Sequence, residues 1–312
     1  MTAAAPPASA PPAAMPPEAR PVAPRRGPFR PRRLALYAFL TFMAATWLFP
    51  LLWAAYTAFR PYSDTLANGY ISVARTLTLD NFIDAFNQGQ FPTFYLNSLI
   101  IAIPSVIVTL LVASMVAFAV SRFRWRFNLF FLMLFTAGNL LPPQVIIVPL
   151  YQLYLLLPLP EPLSDNGKLL YDQFQGTILI NIVFQLGFCV FVLSNYMKTL
   201  SHELTEAALA DGASVWRIYW SVILPLCRPA LAALATLEFT FIYNDFFWAL
   251  LLMKSGDKRP ITSALNNLQG QFFTDTNLLA AGALLAAIPT ILVYLVLQRH
   301  FISGLTLGSS KG

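Results

Sequence analysis

The sequence has few charged residues. Asp, Glu, Lys and Arg make up 11% of its 312 residues, whereas 57% are hydrophobic, and soluble proteins carry roughly 25% charged residues. This scarcity excludes an ordinary soluble domain and predicts a membrane protein. The 26 Phe, 12 Tyr and 6 Trp fit that class, because aromatic rings fill lipid-facing surface and anchor at the headgroups.

Cysteine and histidine are scarcer still. The two cysteines, Cys189 and Cys227, lie in or beside apolar runs, where cysteine usually behaves as a small apolar residue. The two histidines, His202 and His300, stand far apart and form no cluster with the spacing of metal ligands. We therefore expect two free thiols and no structural metal.

A nucleotide-binding loop is also missing. The C-terminal run "GLTLGSSKG" contains glycines and a lysine, but a Walker loop needs four residues between its glycines and a lysine directly after the second. Only three residues separate Gly304 from Gly308, Lys311 comes late, and no strand and helix surround them. The run therefore predicts no nucleotide binding by this chain.

Long apolar segments dominate what is present. Six of them reach the length of about 20 residues that crosses the hydrocarbon core. None shows the sustained alternation of a strand, and helices satisfy their own backbone groups in lipid. We predict an all-α membrane protein with six transmembrane helices, placed approximately at residues 34–59, 94–120, 128–157, 177–197, 229–253 and 277–298.

The apolar segments divide the chain into three parts. Residues 1–33 are rich in Pro and Ala and cannot bury a core, so we expect a disordered tail. Residues 34–300 form the predicted transmembrane domain, and residues 301–312 form a second tail.

The basic residues predict the orientation. The net charge of +6 lies mostly in short loops, which favours membrane topology over nucleic-acid binding as its explanation. If the N-terminus is cytoplasmic, that side collects most of the Lys and Arg, as the positive-inside rule requires. Both termini are therefore expected in the cytoplasm. The basic residues left on the other side are Arg60, Arg75, Lys168, Lys254, Lys258 and Arg259.

Between the fourth and fifth apolar segments lies a polar segment, residues 198–228, that is too long for a simple link. Good helix formers run to Ala210, Asp211 and Gly212 interrupt them, and a second helical stretch continues until Pro225 stops it. We expect two short cytoplasmic helices with a bend.

The two halves of this segment predict different contacts. The first half offers a small surface of Glu206, Ala207 and Ala208, which gains little from an anionic headgroup layer and fits a protein partner better. The second half has an apolar face that either lies on the membrane or packs on the helix bundle. Its members recur at helical spacing: Trp216, Tyr219, Trp220 and Ile223.

The run "EAALADG", nine further residues and "VILP" resemble the EAA loop of permease subunits of ATP-binding cassette (ABC) importers. In that family the loop is a coupling helix seated in a cleft of the ATPase subunit. Glu206 is then expected to pair with a basic group on the ATPase or to cap local backbone amides. Val222 stands where isoleucine is usual. The resemblance implies ATPase contacts at Glu206, Ala207, Ala208, Asp211, Gly212, Leu224 and Pro225.

Further motifs resemble the second permease subunit of maltose-type carbohydrate importers, and the resemblance covers residues 34–312. They are "LTLDNF", "NSLIIA", "AFAVSRFRWRF", "LLPPQVIIVPLY", "FIYNDFFWALLLM" and "QRHFISGLTLGSSKG". In that family the ending inserts between the ATPase subunits. This implies a second ATPase contact at Gly304, Leu305, Gly308 and Lys311.

The resemblance also implies partners. They are a second, homologous permease subunit that completes a heterodimer, two ATPase subunits, an extracytoplasmic sugar-binding protein, the carbohydrate substrate and membrane lipid, with no nucleic acid. No cofactor is expected on this chain, since ATP and Mg belong to the ATPase, and no enzymatic activity is expected of it.

Polar side chains inside the apolar segments are candidates for the substrate pathway, because such groups are costly against lipid. The alternative is that they join helices by hydrogen bonds. Pro142 and Pro143 break the third segment, and broken helices are tolerated in membranes mainly where they line a cavity or pack on protein. The candidates are Asn139, Gln144, Asn181, Gln185, Asn244 and Asp245.

The sequence thus predicts half of the translocation pathway of an ATP-driven importer of oligosaccharide type. A secondary transporter is the alternative, but the acids inside apolar segments, Glu238 and Asp245, are confined to one segment, and no inverted repeat is evident. A membrane-embedded enzyme is a weaker alternative, because no Ser/His pair or set of metal ligands shares one depth.

Overall fold

The computed structural model describes residues 31–123, 126–138, 142–163, 169–269 and 274–306. The chain divides into two compact units between Pro50 and Leu51, and the contacts described below lie within the second. Several predicted positions fall outside the described residues: positions 1–30 of the N-terminal tail, Asn139, Gly308 and Lys311.

The described residues are almost entirely helical, and their only β-pairs are two isolated bridges. The prediction of a mostly helical fold is confirmed. The α-helices are α1 (Pro31–Ala58), α2 (Tyr62–Asn68), α3 (Asp80–Gln88), α4 (Phe91–Arg122), α5 (Asn128–Gly138), α6 (Ile147–Leu156), α7 (Phe174–Thr199), α8 (Glu203–Ala210), α9 (Val215–Ile218), α10 (Leu224–Leu226), α11 (Arg228–Tyr243), α12 (Phe247–Leu252), α13 (Ile261–Asn267) and α14 (Thr276–Thr306).

Four helices in the described part of the chain are long and apolar enough to cross a membrane. Two bent helix pairs raise the number to at most six if each pair is one span. One pair, Asn128–Gly138 with Pro143–Leu156, lies in the third predicted segment. The other, Val215–Leu226 with Arg228–Tyr243, joins the 198–228 segment to the start of the fifth. The four long stretches are Arg32–Ala58, Phe91–Arg122, Phe174–Thr199 and Thr276–Gln298.

The third segment breaks where its two prolines predict. Helix α5 ends at Gly138, Pro142 is extended, and a 3-10 turn over Pro143–Ile146 leads into α6. Proline lacks an N–H donor and clashes with the preceding turn, so a continuous helix is disfavoured here.

The fifth segment breaks without a proline, which the sequence did not predict. Helix α11 ends at Tyr243, and α12 begins at Phe247. The Asp245 carboxylate accepts a hydrogen bond from the Trp248 N–H at 3.4 Å, and Thr262 donates its hydroxyl to the Asp245 carbonyl oxygen at 3.0 Å. These bonds stabilise a new helix start in place of a continuous helix.

Helices α4 and α7 pack along each other, and α11 packs against α4 and α14. Small side chains let helix backbones approach closely, which favours packing in lipid. The buried small residues of α4 include Ala102, Ser105, Thr109, Ala113, Ser114 and Ala117, and those of α7 include Gly187, Cys189 and Ser194.

A buried arginine organises the loop that follows α1. The Arg60 side chain is 1% exposed and donates hydrogen bonds to the Asp64 carboxylate at 2.6 Å and to the carbonyl oxygens of Gly69 and Ser72. The hydrogen bond from Arg60 holds the pKa of Asp64 below its usual value. The loop is therefore closed around an ion pair.

The same loop is tied to the first turn of α14. Asn277 is fully buried and donates from its amide to the carbonyl oxygens of Thr57 and Arg60 and to the Thr65 hydroxyl. Two distant parts of the sequence thereby meet at one end of the bundle.

Helix α14 runs to Thr306, beyond the boundary placed at residue 300. Gly304 and Leu305 therefore belong to a helix instead of a separate tail. One glycine costs a helix about 1 kcal/mol relative to alanine, and this alone does not end a long helix.

Candidate functional site

The segment 198–228 folds as two short helical parts with a bend, as predicted. Helix α8 ends in a Schellman motif, in which the Gly212 N–H bonds to the Leu209 carbonyl and the Ala213 N–H bonds to the Ala208 carbonyl, both at 3.0 Å. Gly212 has φ +77°, a left-handed conformation that favours glycine. The bend therefore depends on glycine at this position.

Ser214 begins the second half. Its side chain accepts a hydrogen bond from the Arg217 N–H at 3.3 Å and so caps the start of α9. A π-helical turn over Tyr219–Ile223 joins α9 to α10.

The predicted apolar face of the second half is divided by the bundle. Tyr219 and Ile223 are buried, whereas Trp216 and Trp220 are 63% and 49% exposed. The Tyr219 hydroxyl lies 2.7 Å from the Ser114 hydroxyl of α4. Packing on the bundle therefore holds for Tyr219 and Ile223, and contact of Trp216 and Trp220 with the membrane stays a prediction.

The first half presents an exposed surface. Glu206, Ala207, Asp211 and Gly212 are all exposed. Among the described residues the Glu206 carboxylate makes no hydrogen bond or ion pair, although it lies in the first turn of α8. Within the described residues it caps no backbone amide, and its pairing with a basic group on a partner stays a prediction.

The end of the segment lies apart from this surface. Leu224 is half-buried and packs against the cluster that contains Ile223 and Cys227. Pro225 lies inside α10, which continues to Leu226, so the proline does not stop the helix as predicted. Proline is tolerated here because it falls in the first turn of the short helix. Leu224 thus helps to hold the segment to the bundle.

Arg122, at the end of α4, is a residue that the sequence reasoning missed. Its guanidinium is 6% exposed and donates to the carbonyl oxygens of Met197 at 2.7 Å, Leu200 at 3.1 Å and Ser201 at 3.2 Å. Cations stabilise the carbonyl groups at a helix C-terminus. Arg122 therefore joins α4 to the end of α7 and to the start of the 198–228 segment.

Among the described pathway candidates, the two buried or helix-end asparagines bond within their own helices. Asn181 and Asn244 donate to carbonyl oxygens of their own helices, at Thr177 and Thr240. Gln144 is exposed, and Gln185 is half-buried. For the two asparagines, the structure shows bonding within one helix.

Asp245 occupies the break between α11 and α12, where it accepts the Trp248 N–H. Its second carboxylate oxygen is buried without a hydrogen-bond partner among the described residues. The bond from Trp248 gives Asp245 a local role as a helix cap. The sequence had suggested only a role in the substrate pathway or in bonding between helices.

Glu238 is fully buried on α11. Its carboxylate accepts a hydrogen bond from the Cys189 thiol of α7 at 3.1 Å. In the part of the chain that the structure describes, no group of three Cys, His, Asp or Glu side chains is placed to hold a metal ion. The pair therefore joins α7 to α11.

Asp172 fixes the loop after α12 at the opposite end of the bundle from the 198–228 segment. Its carboxylate accepts hydrogen bonds from the N–H groups of Lys254 at 2.8 Å and Ser255 at 2.9 Å, and from the Ser255 hydroxyl. Partial burial raises the pKa of Asp172, but the hydrogen bonds from Ser255 and Lys254 outweigh it and leave the pKa below its usual value.

Asn97 and Ser98, near the start of α4, hold the same loop. The Asn97 amide donates to the carbonyl oxygens of Asp257 at 2.6 Å and Arg259 at 3.0 Å. The Ser98 hydroxyl accepts from the Ile261 N–H at 2.8 Å. The loop is thereby bonded to the first turns of α4.

Comparison with known proteins gives consistent matches. The sequence family described as "Binding-protein-dependent transport system inner membrane component" matches residues 109–306. A probable ABC transporter permease protein of Pyrococcus horikoshii is 34% identical over 261 residues, which cover 83% of this chain and 91% of the relative. The arabinooligosaccharides transport system permease protein of Halalkalibacterium halodurans is 33% identical over 279 residues, which cover 88% and 94%.

The fold is similar to that of one chain in the crystal structure of a bacterial ABC transporter involved in the import of the acidic polysaccharide alginate. The TM-score is 0.73, the sequence identity is 21%, and the match covers 88% of this chain and 100% of that chain. At this identity the similarity concerns the fold.

Proposed function

This chain belongs to the family of binding-protein-dependent transport system inner membrane components, and we propose that it is one permease subunit of an ATP-driven importer of oligosaccharides. It forms half of the translocation pathway with a second, homologous permease subunit. Two ATPase subunits carry ATP and Mg, and an extracytoplasmic binding protein delivers the sugar. The chain itself catalyses no reaction.

The observation that carries the proposal is the exposed surface of Glu206–Gly212. A carboxylate without a partner in the described chain stands beside small residues on a helix that ends in a rigid turn. Small residues admit a close partner backbone, and a carboxylate offers a charge-assisted hydrogen bond. This surface suits an ATPase cleft.

The proposal places this surface in the cytoplasm. With both termini inside, the basic residues concentrate on the same side, as the positive-inside rule requires. The loop held by Asp172 then faces outward, where the binding protein docks. The end of the chain, with Gly304, Leu305, Gly308 and Lys311, supplies a second contact with the ATPase.

The name of the Halalkalibacterium relative, which refers to arabinooligosaccharides, supports an oligosaccharide as substrate. Gln144 and Gln185 are the pathway candidates that keep a side-chain amide without a hydrogen bond within the described residues. Amides suit neutral sugar hydroxyls, because they both donate and accept hydrogen bonds.

The test is purification and reconstitution of the whole complex. The chain should purify together with a Walker-containing ATPase and a second permease subunit. In liposomes, the complex should take up an oligosaccharide only when ATP and the binding protein are both supplied. A chain that purifies without an ATPase and accumulates sugar from a proton or sodium gradient would instead be a secondary transporter.

A further inference from the structure

One face of α4 holds both halves of the 198–228 segment. Ser114, Phe118 and Arg122 are spaced four residues apart, so they lie along one side of the helix. Arg122 donates to the carbonyl oxygens of Leu200 and Ser201, at the entrance of the segment. This entrance is therefore fixed to α4 as well as to α7, which leads directly into it.

The second half of the segment is held on the same face. The Tyr219 ring packs on Phe118 with ring centroids 5.4 Å apart, and its hydroxyl is hydrogen-bonded to Ser114 at 2.7 Å. Ser114 and Tyr219 are both about 1% exposed. This bond is therefore shielded from water and fixed in geometry, since buried polar groups are costly to leave unpaired.

The other end of α4 holds the loop 253–261 through Asn97 and Ser98. Ser98 and Arg122 lie on one helix of 32 residues, and at 1.5 Å per residue they are about 36 Å apart. Side-chain to backbone hydrogen bonds thus attach both ends of one helix to loops on opposite sides of the bundle.

From this arrangement we propose that α4 transmits movement from one side of the permease to the other. It carries displacement of the cytoplasmic 198–228 segment to the outer loop 253–261, and Arg122 and the Ser114–Tyr219 pair are the positioning residues that attach the segment to it. This inference rests on the proposed function, because it assumes that an ATPase moves the segment. Coupling between distant sites is carried by packed side chains, hydrogen bonds and rigid secondary elements, and both loops are bonded to this one helix.

The test uses the complete importer in liposomes, with uptake and hydrolysis measured together. Arg122→Met keeps an apolar stem but removes the hydrogen bonds to the segment. The sugar imported per ATP hydrolysed should fall about tenfold, within the usual range of coupling between sites. The amount of assembled complex should be unchanged.

Arg126→Met is the matched control. Arg126 also carries a positive charge just after α4, but its guanidinium lies over the Phe127 ring, 4.8 Å from the ring centre. This variant should keep the parental ratio of import to hydrolysis. If both variants lost the same fraction of sugar imported per ATP hydrolysed, the effect would come from the positive charge near the end of α4. The hydrogen bonds from Arg122 to the segment would then not be its cause, and the inference would be overturned.

A direct readout is a fluorescent probe on the outer loop. Gly256→Cys suits it, because Gly256 is exposed and an added Cβ meets no atom within 4 Å, while Cys189 and Cys227 are buried. Trapping the ATPase with ATP and vanadate should change the probe emission in the parent. With Arg122→Met the change should be lost, although the variant still traps vanadate and hydrolyses ATP when vanadate is left out.

Tyr219→Phe and Ser114→Ala provide a second pair of variants. Each removes one hydroxyl from the same hydrogen bond, so the two single variants and the double variant should lose the same fraction of coupling. If Arg122→Met fails to assemble, this pair decides the matter. Parental coupling in all three would overturn the proposal.

The two proposals fail in different ways. If the parental complex shows no ATP-dependent uptake, the proposed function is wrong. If the parent imports sugar, and the Arg122 and Tyr219 variants import it at the parental ratio with a normal probe response, the function stands and the role of α4 is wrong.

Discussion

Asp172 adopts φ +61°, a left-handed conformation that asparagine and aspartate tolerate better than most residues. Its carboxylate receives N–H groups from two consecutive residues of another loop, 254 and 255. The side chain and the backbone conformation are thus both required at this position. Replacing Asp172 with Asn keeps the backbone conformation and removes the negative charge.

We predict that Asp172→Asn lowers the free energy of unfolding by about 1 kcal/mol at neutral pH, the scale of a weakened charge-assisted bond at a partly exposed site. The folded-state pKa of Asp172 lies below its usual value of 3.8. The stabilisation is therefore fully present above that value and is lost as the pH falls through the lower folded-state pKa.

Thermal unfolding of the purified protein in detergent, from pH 7 downward, measures this effect. Parent and variant should differ at pH 7 and converge as the pH falls below about 4. A difference that stays constant with pH would contradict a role for the ionised carboxylate.

We predict that Glu206→Ala weakens binding of the ATPase about tenfold, the worth of one charge-assisted hydrogen bond, and leaves the bundle intact. Glu206 has no hydrogen-bond partner within the described chain, so its loss removes no internal contact. Titration of the ATPase against the reconstituted permease measures the affinity. Glu203→Ala is the control, since it removes the same charge one turn earlier on an exposed position; an equal loss there would contradict a specific contact.

The sequence predicted Glu206 and Gly212 but not Arg122 or Asp172, and the reason is distance along the chain. The bend at Gly212 follows from its neighbours, because the Schellman motif is local. Arg122 bonds to a carbonyl 75 residues later, and Asp172 to an amide 82 residues later. No local pattern indicates such partners.

At the scale of elements, the two broken segments show the same contrast. The break before α6 was predicted, because Pro142 and Pro143 mark it in the sequence. The break after α11 has no proline or glycine, and depends on Asp245 and on Thr262, which approaches from α13. Apolar composition alone therefore predicted one continuous helix there.

We predict that Asp245→Ala destabilises the start of α12 by about 1 kcal/mol, the usual loss for a helix cap. Asp245→Asn should retain most of that stability, because asparagine caps as well as aspartate. Thermal unfolding of both variants measures how much the cap contributes to stability. Uptake by the same variants separates the roles, since loss of uptake in the stable Asn variant would mean that the carboxylate also serves the pathway.

We predict that Gly212→Pro abolishes uptake and weakens association with the ATPase. Proline cannot adopt a φ near +77° and has no N–H to donate to Leu209, so the turn between α8 and α9 is lost. Gly212→Asn is the matched control, because asparagine visits this conformation more readily than other residues, and an added Cβ meets no atom within 4 Å.

Uptake and co-purified ATPase should both remain in the Asn variant. If Gly212→Pro imports sugar at the parental rate with a normal complement of ATPase, the segment is only a surface helix of the membrane.

At the scale of the whole molecule, composition was enough to predict the class. An 11% charged, 57% hydrophobic chain leaves few alternatives to helices in lipid. The bends within segments were not accessible in this way, because they arise from contacts between elements that hydropathy does not encode.

We predict that both termini are cytoplasmic, and two cysteine positions test this. With an impermeant thiol reagent on intact cells, Gly256→Cys should be labelled and His202→Cys should not, since both positions are exposed on opposite ends of the bundle. The native Cys189 and Cys227 are fully buried and give a low background. The reverse pattern would overturn the orientation and the proposed ATPase contact.

The bonds from Asn277 also constrain how the protein is made. The carbonyl oxygens of Thr57 and Arg60 lie 220 and 217 residues before the amide that they accept. A ribosome translating from the N-terminus therefore releases the first loop long before the residue that fastens it. Bonds from Arg60 and Asn81 can form earlier, but those from Asn277 form only after the last helix has entered the membrane. A chain truncated before α14 should therefore expose the loop to proteases that the finished protein resists.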